Sequence, residues 1–242
     1  MASTIALAAL SAGAVAGCES SQDRSAELKK EGANAIKAEK GLSIEGKNSA
    51  VKVMGTTVLK DANGAAVVVS LENKGSTTLR DVPIAIKVTD AKGKKLYTNT
   101  TPGLQKALQS VPLLPPGKPV DWVNDQVFVS SQPKSVNVQV GNTNSTETVD
   151  PSTLTVSKPT VVTDPVSGIE ANGTIDNSSS NEVDQVLLFA VARKGGKIVA
   201  AGRGGVKKVR PSGEKPARYH IFFIGNPKGA DVTVDAYPNE LR

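Results

Sequence analysis

The sequence predicts an all-β chain organised as two tandem sandwich modules behind an apolar leader. Three observations carry that expectation. Valine dominates the middle and end of the chain, whereas aromatics are scarce, with one Trp, three Tyr and four Phe in 242 residues. Cores built mainly from β-branched side chains favour strands over helices. Short clusters of Gly, Pro, Ser, Thr and Asn punctuate the valine-rich runs, as many short strands joined by turns require. The second half of the chain also repeats the first in order, and a length of 242 residues accommodates two domains of ordinary size.

The leader comes first. Residues 2–17 carry no charge and are built from Ala, Leu, Ile, Val, Ser, Thr and Gly. The stretch is too short to span a bilayer as a mature helix, which takes about 20 residues. It has the length of a signal-peptide core. It ends in Val15-Ala16-Gly17-Cys18, which resembles the bacterial lipobox: a branched apolar residue, two small residues and a cysteine. That resemblance implies cleavage before Cys18 and a diacylglycerol on its sulfur, with residues 1–17 removed as a signal peptide. Cys18 is the only cysteine and has no internal partner, and acylation accounts for an exported thiol that would otherwise need explaining. No Lys or Arg precedes the apolar core, a departure from the usual pattern that a misassigned start codon would explain. Acyl chains in twos or threes hold a protein on a membrane durably, at about 0.8 kcal/mol per buried CH₂.

Residues 18–46 then change composition to Ser, Gln, Glu, Lys and Ala. Glu27 and Lys30 are spaced to meet on one helical face, but Leu28 and Ile36 make no continuous apolar stripe. The segment reads as a solvated spacer, transiently helical, that lifts the folded part clear of the membrane.

The two modules are assigned to residues 47–142 and 150–242. Val69–Asn73, a turn and Leu79–Val88 match Gly173–Asn177, a turn and Val183–Val191 at a constant offset of 104. Asn73 aligns with Asn177 and Val82 with Val186. Later, Gly117 aligns with Gly213 and Val136-x-Val138-x-Val140 with Val232-x-Val234-x-Ala236, at an offset of 96. Val67, Val69 and Leu71 alternate with Val68, Ser70 and Glu72 in the period of a half-buried strand. Further strand candidates lie at residues 50–59 and 153–163, and residues 141–152 read as a short flexible joint. About seven strands in roughly 95 residues suit an immunoglobulin-like sandwich.

The order of apolar strand, Asn turn, second strand, Asp-x-x-Gly turn and Pro-Gly corner resembles the FxLYD-type domains of bacterial exported proteins. Ile86-Lys87-Val88-Thr89-Asp90 and Phe189-Ala190-Val191-Ala192-Arg193 stand where that family has its signature, and Asp90 and Phe189 each keep one residue of it. The resemblance implies a sandwich fold and an accessory or adhesive module, and says little of activity.

Chemistry-bearing residues are few. His220 is the only histidine, so a Ser-His-Asp device would have to use it, and metal sites recruit several ligands together. No catalytic residue, metal site or cofactor is expected. Net charge is +6, without the density of a nucleic-acid binder. Arg193, Lys194, Lys197, Arg203, Lys207, Lys208 and Arg210 form two basic, glycine-rich stretches that read as a candidate patch for an anionic ligand, or as solvated hairpin turns. Trp122 reads as a packing residue. Asp61, Asn63, Asp121 and Asp125 do not form an EF-hand loop, and the long connection over residues 97–112 names no chemistry. The leading expectation is a non-enzymatic, membrane-tethered interaction module that acts with envelope proteins. A binding lipoprotein for an anionic cell-wall polymer or small ligand comes second, and an exported enzyme third.

Overall fold

A computed structural model describes residues 40–145, 153–165 and 168–238. The leader, Cys18 and most of the spacer and joint lie outside these residues. The described chain is all-β, with one short 3₁₀ turn at Lys106–Leu108 and no α-helix.

The first seven strands are β1 (Val51–Lys60), β2 (Ala65–Asn73), β3 (Leu79–Thr89), β4 (Lys95–Thr98), β5 (Ser110–Leu114), β6 (Pro119–Asn124) and β7 (Ser135–Val140). They form two antiparallel sheets, β1-β2-β6 and β4/β5-β3-β7, with β4 and β5 on one edge of β3 and β7 on the other. The remaining strands are β8 (Leu154–Val156), β9 (Thr160–Asp164), β10 (Gly168–Asn177), β11 (Val183–Lys194), β12 (Lys197–Val209), β13 (Ala217–Phe222), β14 (Ile224–Gly225) and β15 (Asp231–Pro238). They form β8/β9-β10-β13 and β14-β12-β11-β15.

Strand pairing repeats residue by residue. Ile86 pairs with Val138 where Ala190 pairs with Val234, and Val69 pairs with Trp122 where Gly173 pairs with Tyr219. Asp81 and Gln185, 104 residues apart, both take positive φ, at 48° and 53°. Each falls at a gap in its strand's pairing, Asp81 between Arg80 and Val82 along β5 and Gln185 between Asp184 and Val186 along β12, with the register the same on both sides. Asn73 and Asn177 are buried and act alike. The Asn73 amide donates to Thr77 O at 2.8 Å and Leu114 O at 2.9 Å, while Gly75 N–H donates to its Oδ1 at 2.8 Å. The Asn177 amide donates to Asn181 O at 2.7 Å and Val209 O at 3.4 Å, and Ser179 N–H donates to its Oδ1 at 3.0 Å. One side chain thus closes the turn after its strand and ties it to the facing sheet.

The copies differ where β12 runs unbroken and its counterpart splits into β4 and β5. Between them Asn99, fully buried, replaces the missing ladder. Its Oδ1 accepts from Ile86 N–H at 2.7 Å and its amide donates to Ile84 O and Leu108 O. The long connection over residues 97–112 is therefore held against β3 rather than projecting.

The expected joint and spacer are also partly structured. Residues 141–145 stay on β3, with Gly141 N–H on Pro83 O, Thr143 Oγ1 on Arg80 O and Arg80 N–H on Ser145 O. The spacer's end, residues 41–47, crosses β3 from Thr100, where Gly41 leaves no room for a Cβ, to Gly141, against which Ile44 packs.

The half-buried period expected of β2 fails, and β11 is likewise buried on both faces. Ala65 through Val69 are all buried, as are Val186 through Ala192. Val67, Val69 and Leu71 face the first sandwich's interior with Trp122, whose Nε1–H donates to Ser110 O at 2.9 Å. Val68 and Val123 lie on the opposite face, in the same cluster as Leu187, Phe189, Val191, Ala201 and Tyr237 of the second set of strands. The alternate residues Val186, Leu188, Ala190 and Ala192 belong to a separate core with Tyr219 and Ile221. The β14-β12-β11-β15 sheet therefore packs its outer face on β1-β2-β6.

Asn73→Ala is expected to lower the unfolding free energy by about 2 kcal/mol, because it strands buried carbonyls and a buried N–H. Asn177→Ala, with one longer bond, should cost less; urea unfolding of both variants measures the difference.

Candidate functional site

The basic residues picked out from the sequence do not gather in one place. Lys197 opens and Val209 closes a thirteen-residue strand, about 40 Å long at 3.3 Å per residue. Lys194 and Lys197 flank the Gly195-Gly196 turn, whose φ values of 56° and 76° suit a tight two-residue hairpin. Lys207, Lys208 and Arg210 sit at the far end, where Lys208 pairs with Glu182 at 2.6 Å and Arg210 approaches Glu214 at 3.5 Å. Gly202 and Gly204 are not phosphate-cradling loop residues. They lie inside β12, where the Phe222 backbone (at Gly202) and the Ile221 side chain (at Gly204) on β13 leave no room for a Cβ.

Arg193 and Arg203 are engaged in the seam between the two sets of strands. Arg193 Nη2 donates to Asp121 Oδ2 at 2.6 Å, while Ser70 Oγ donates to the other oxygen at 2.5 Å. Arg203, whose side chain is 8% exposed, has Nε 3.7 Å from Asp125 Oδ1, and its backbone N–H donates to Asp125 Oδ2 at 3.0 Å. Its Nη2 reaches Gln105 at 3.4 Å. Asn124 donates to the Tyr97 hydroxyl at 3.2 Å beside this group. Burial pushes the Asp125 carboxyl above its ordinary value, and Arg203 only partly offsets it. Burial likewise draws the Arg203 guanidinium down, against the pull of Asp125 and Tyr97. Desolvation, then the Asp121 charge, raises Asp235, with Arg193 acting the other way. The Tyr237 hydroxyl is pushed up by burial and then by Asp235 and Asp121. Phe189 packs on the Tyr237 ring at 5.6 Å between centroids.

The aspartates considered for calcium are accounted for here. Asp61 accepts from Asn63 N–H at 2.7 Å and, across the seam, from Gly225 N–H at 2.7 Å. Among the described residues no three His, Cys, Asp or Glu side chains gather as metal ligands. His220 lies on the outer face of β13, its side chain 60% exposed and its Nδ1 3.8 Å from Glu170 Oε2. An open groove of about 1130 Å³ runs between β1 and β7, lined by Ile44, Lys47, Lys52, Val53, Lys74 and Val138 among others.

A separate set of exposed cations lies at the β3–β4 end of the first sandwich. Lys87, Lys92, Lys94, Lys95 and Lys134 are exposed there, and among the described residues none makes an ion pair within 4.0 Å. Asp90 closes the hairpin by accepting from Lys92 N–H and Lys94 N–H at 2.8 and 2.9 Å. Lys134 N–H donates to Thr89 O at 2.8 Å, which brings the loop over residues 125–134 to the same end. Phe128 in that loop is 82% exposed, although Val127 before it is buried and Val129 after it packs on the core. Sequence reading missed this cluster because its lysines come from three separate segments and one was read only as a turn.

No family model matches the chain, and no curated protein matches it.

Asp125→Ala should lower stability by about 3 kcal/mol, since it leaves a buried guanidinium without its counter-charge. Adding Arg203→Met should recover most of that loss, and urea unfolding of the single and double variants tests it. Asp235 has a raised carboxyl value, so its contribution to stability falls as pH rises through the window above the ordinary carboxylate value. Asp235→Asn should accordingly raise the thermal midpoint at neutral pH and change it little in acid below that window, as melts at the two pH values would show.

Proposed function

We infer that the chain is an exported lipoprotein, acylated on Cys18, whose two immunoglobulin-like sandwiches form one non-enzymatic interaction body at the cell envelope. The observation that carries this reading is the Val15-Ala16-Gly17-Cys18 sequence at the end of an uncharged apolar stretch, in a chain with no other cysteine. Thioether acylation gives that lone sulfur a purpose and attaches the protein to the outer face of the membrane without spanning it. Among the described residues no helix is long and apolar enough to cross a membrane. The repeated strand register supports two copies of one sandwich, and the FxLYD-type resemblance points the same way for an accessory role.

The seam's carboxylates and arginines pair with one another and hold the two sets of strands together. Polymer binding along β12 gains no support, because Arg193 and Arg203 are engaged with Asp121 and Asp125.

The decisive comparison is between the parent and Cys18→Ser in cells fed a labelled fatty acid. The parent should carry label on residue 18 and stay with membranes through a high-salt wash. The variant should carry none and be released by that wash. An unmodified Cys18 thiol in the mature parent chain would overturn the reading.

A further inference from the structure

We propose that the β3–β4 end of the first sandwich is a docking surface for an anionic phospholipid bilayer. The proposal rests on the tethered reading above and names what the tethered body meets.

Charge comes first. Five exposed lysines converge from the end of β3, the hairpin, β4 and the start of β7. Of the carboxylates at this end, Asp125 is paired with Arg203, while Asp90 and Asp61 accept backbone N–H groups and offset part of the lysines' charge. The first module carries 12 basic and 7 acidic residues over positions 46–149, and this end concentrates the excess. Lysines within a Debye length of an anionic leaflet are attracted to it, and the attraction falls with salt.

The second element is Phe128. A single exposed apolar residue is ordinary on a protein surface. This one is held outward by a loop whose neighbours, Val127 and Val129, are pinned to the core, with Val127 N–H on Ala65 O at 3.4 Å. Asn124, just before the loop, bonds Tyr97 of β4, so the loop rises beside the lysine hairpin. An aromatic ring among lysines matches the boundary between headgroups and acyl chains. A soluble anionic polymer would use the lysines and gain nothing from the ring.

Reach is the third element. From Cys18 to Lys40 the chain extends at most about 75 Å, more than twice the roughly 33 Å of a ten-residue strand. It joins the body beside Thr100, two residues past β4. The tether therefore allows this end to lie on the bilayer, and it makes a weak surface sufficient by raising the local concentration.

The test uses the chain from residue 18 onward carrying Cys18→Ser, which contains the whole described body and no acyl group. It should sediment with vesicles of equal parts phosphatidylcholine and phosphatidylglycerol at about 0.05 M salt, and be released at about 0.5 M. Lys92→Glu/Lys94→Glu/Lys95→Glu should cut binding about tenfold or more. Phe128→Ser should weaken it severalfold, and the control Lys207→Glu/Lys215→Glu/Lys228→Glu should leave it nearly unchanged. All variants lie at exposed positions, and unchanged melting midpoints verify that they fold. Equal binding to pure phosphatidylcholine, or indifference to the hairpin reversal, overturns the proposal. If soluble poly(glycerol phosphate) binds the parent and Phe128→Ser has no effect on vesicles, the surface takes a polymer and the bilayer assignment is wrong. Because no acyl chain is present, these outcomes leave the Cys18 assignment untouched, and the fatty-acid label reads that assignment separately.

Discussion

Two strands in this protein, β2 and β11, are apolar on both faces, and the rest of the structure follows from the need to cover the second face of each. A sheet packed on one core can leave its other side wet if that side is polar. Here Val68 and Val123 on one side, and Leu187, Phe189, Val191 and Tyr237 on the other, would remain in water if the halves stood apart. Apolar burial contributes about 25 cal/mol per Å², so mutual coverage is favoured strongly. The two sets of strands are joined sheet to sheet.

Apolar coverage alone would let the sheets slide, and the polar pairs remove that freedom. Asp121 with Arg193, Asp125 with Arg203 and Asp61 with Gly225 N–H fix three points along the seam. A buried ion pair is weak evidence for net stability, since desolvating both charges offsets much of their attraction. Its effect on register is clearer, because any shift would leave Arg203 buried without its carboxylate. The same pairs set a carboxylate against each of two arginines, one of them buried, so the positive field of the second half is weaker than its arginine count suggests. The first half keeps its lysines free at one end, so the surface available to partners is asymmetric even though the two halves share a fold.

Much of the fold was legible in the sequence. The 104-residue offset located Asn73 and Asn177 at equivalent positions, and the valine alternation located β2 and β7. Unbroken apolar runs at Ala65–Val69 and Val186–Ala192 also carried the signal for double burial, but alternation within β2 was read as one wet face. The candidate site was less legible for a physical reason. Arg193 and Arg203 look like any surface arginines in sequence, and only the partner strand tells which side of the sheet they occupy. Lys134 joins Lys92, Lys94 and Lys95 only after β3 and β7 pair. The composition of residues 141–145 gave no sign that their backbone continues along β3, because those bonds are made by main-chain groups and one hydroxyl. The leader and Cys18 rest on the sequence pattern alone.

The seam is the central claim, and scanning calorimetry combined with Trp122 fluorescence tests it most directly. Trp122 is the only tryptophan and lies in the core of the first sandwich, so its emission reports that half alone. If the halves share their sheets as described, heat absorption shows one transition, with calorimetric and van't Hoff enthalpies equal and the Trp122 midpoint coincident with it. Two separate transitions, with Trp122 following only one, would contradict the account.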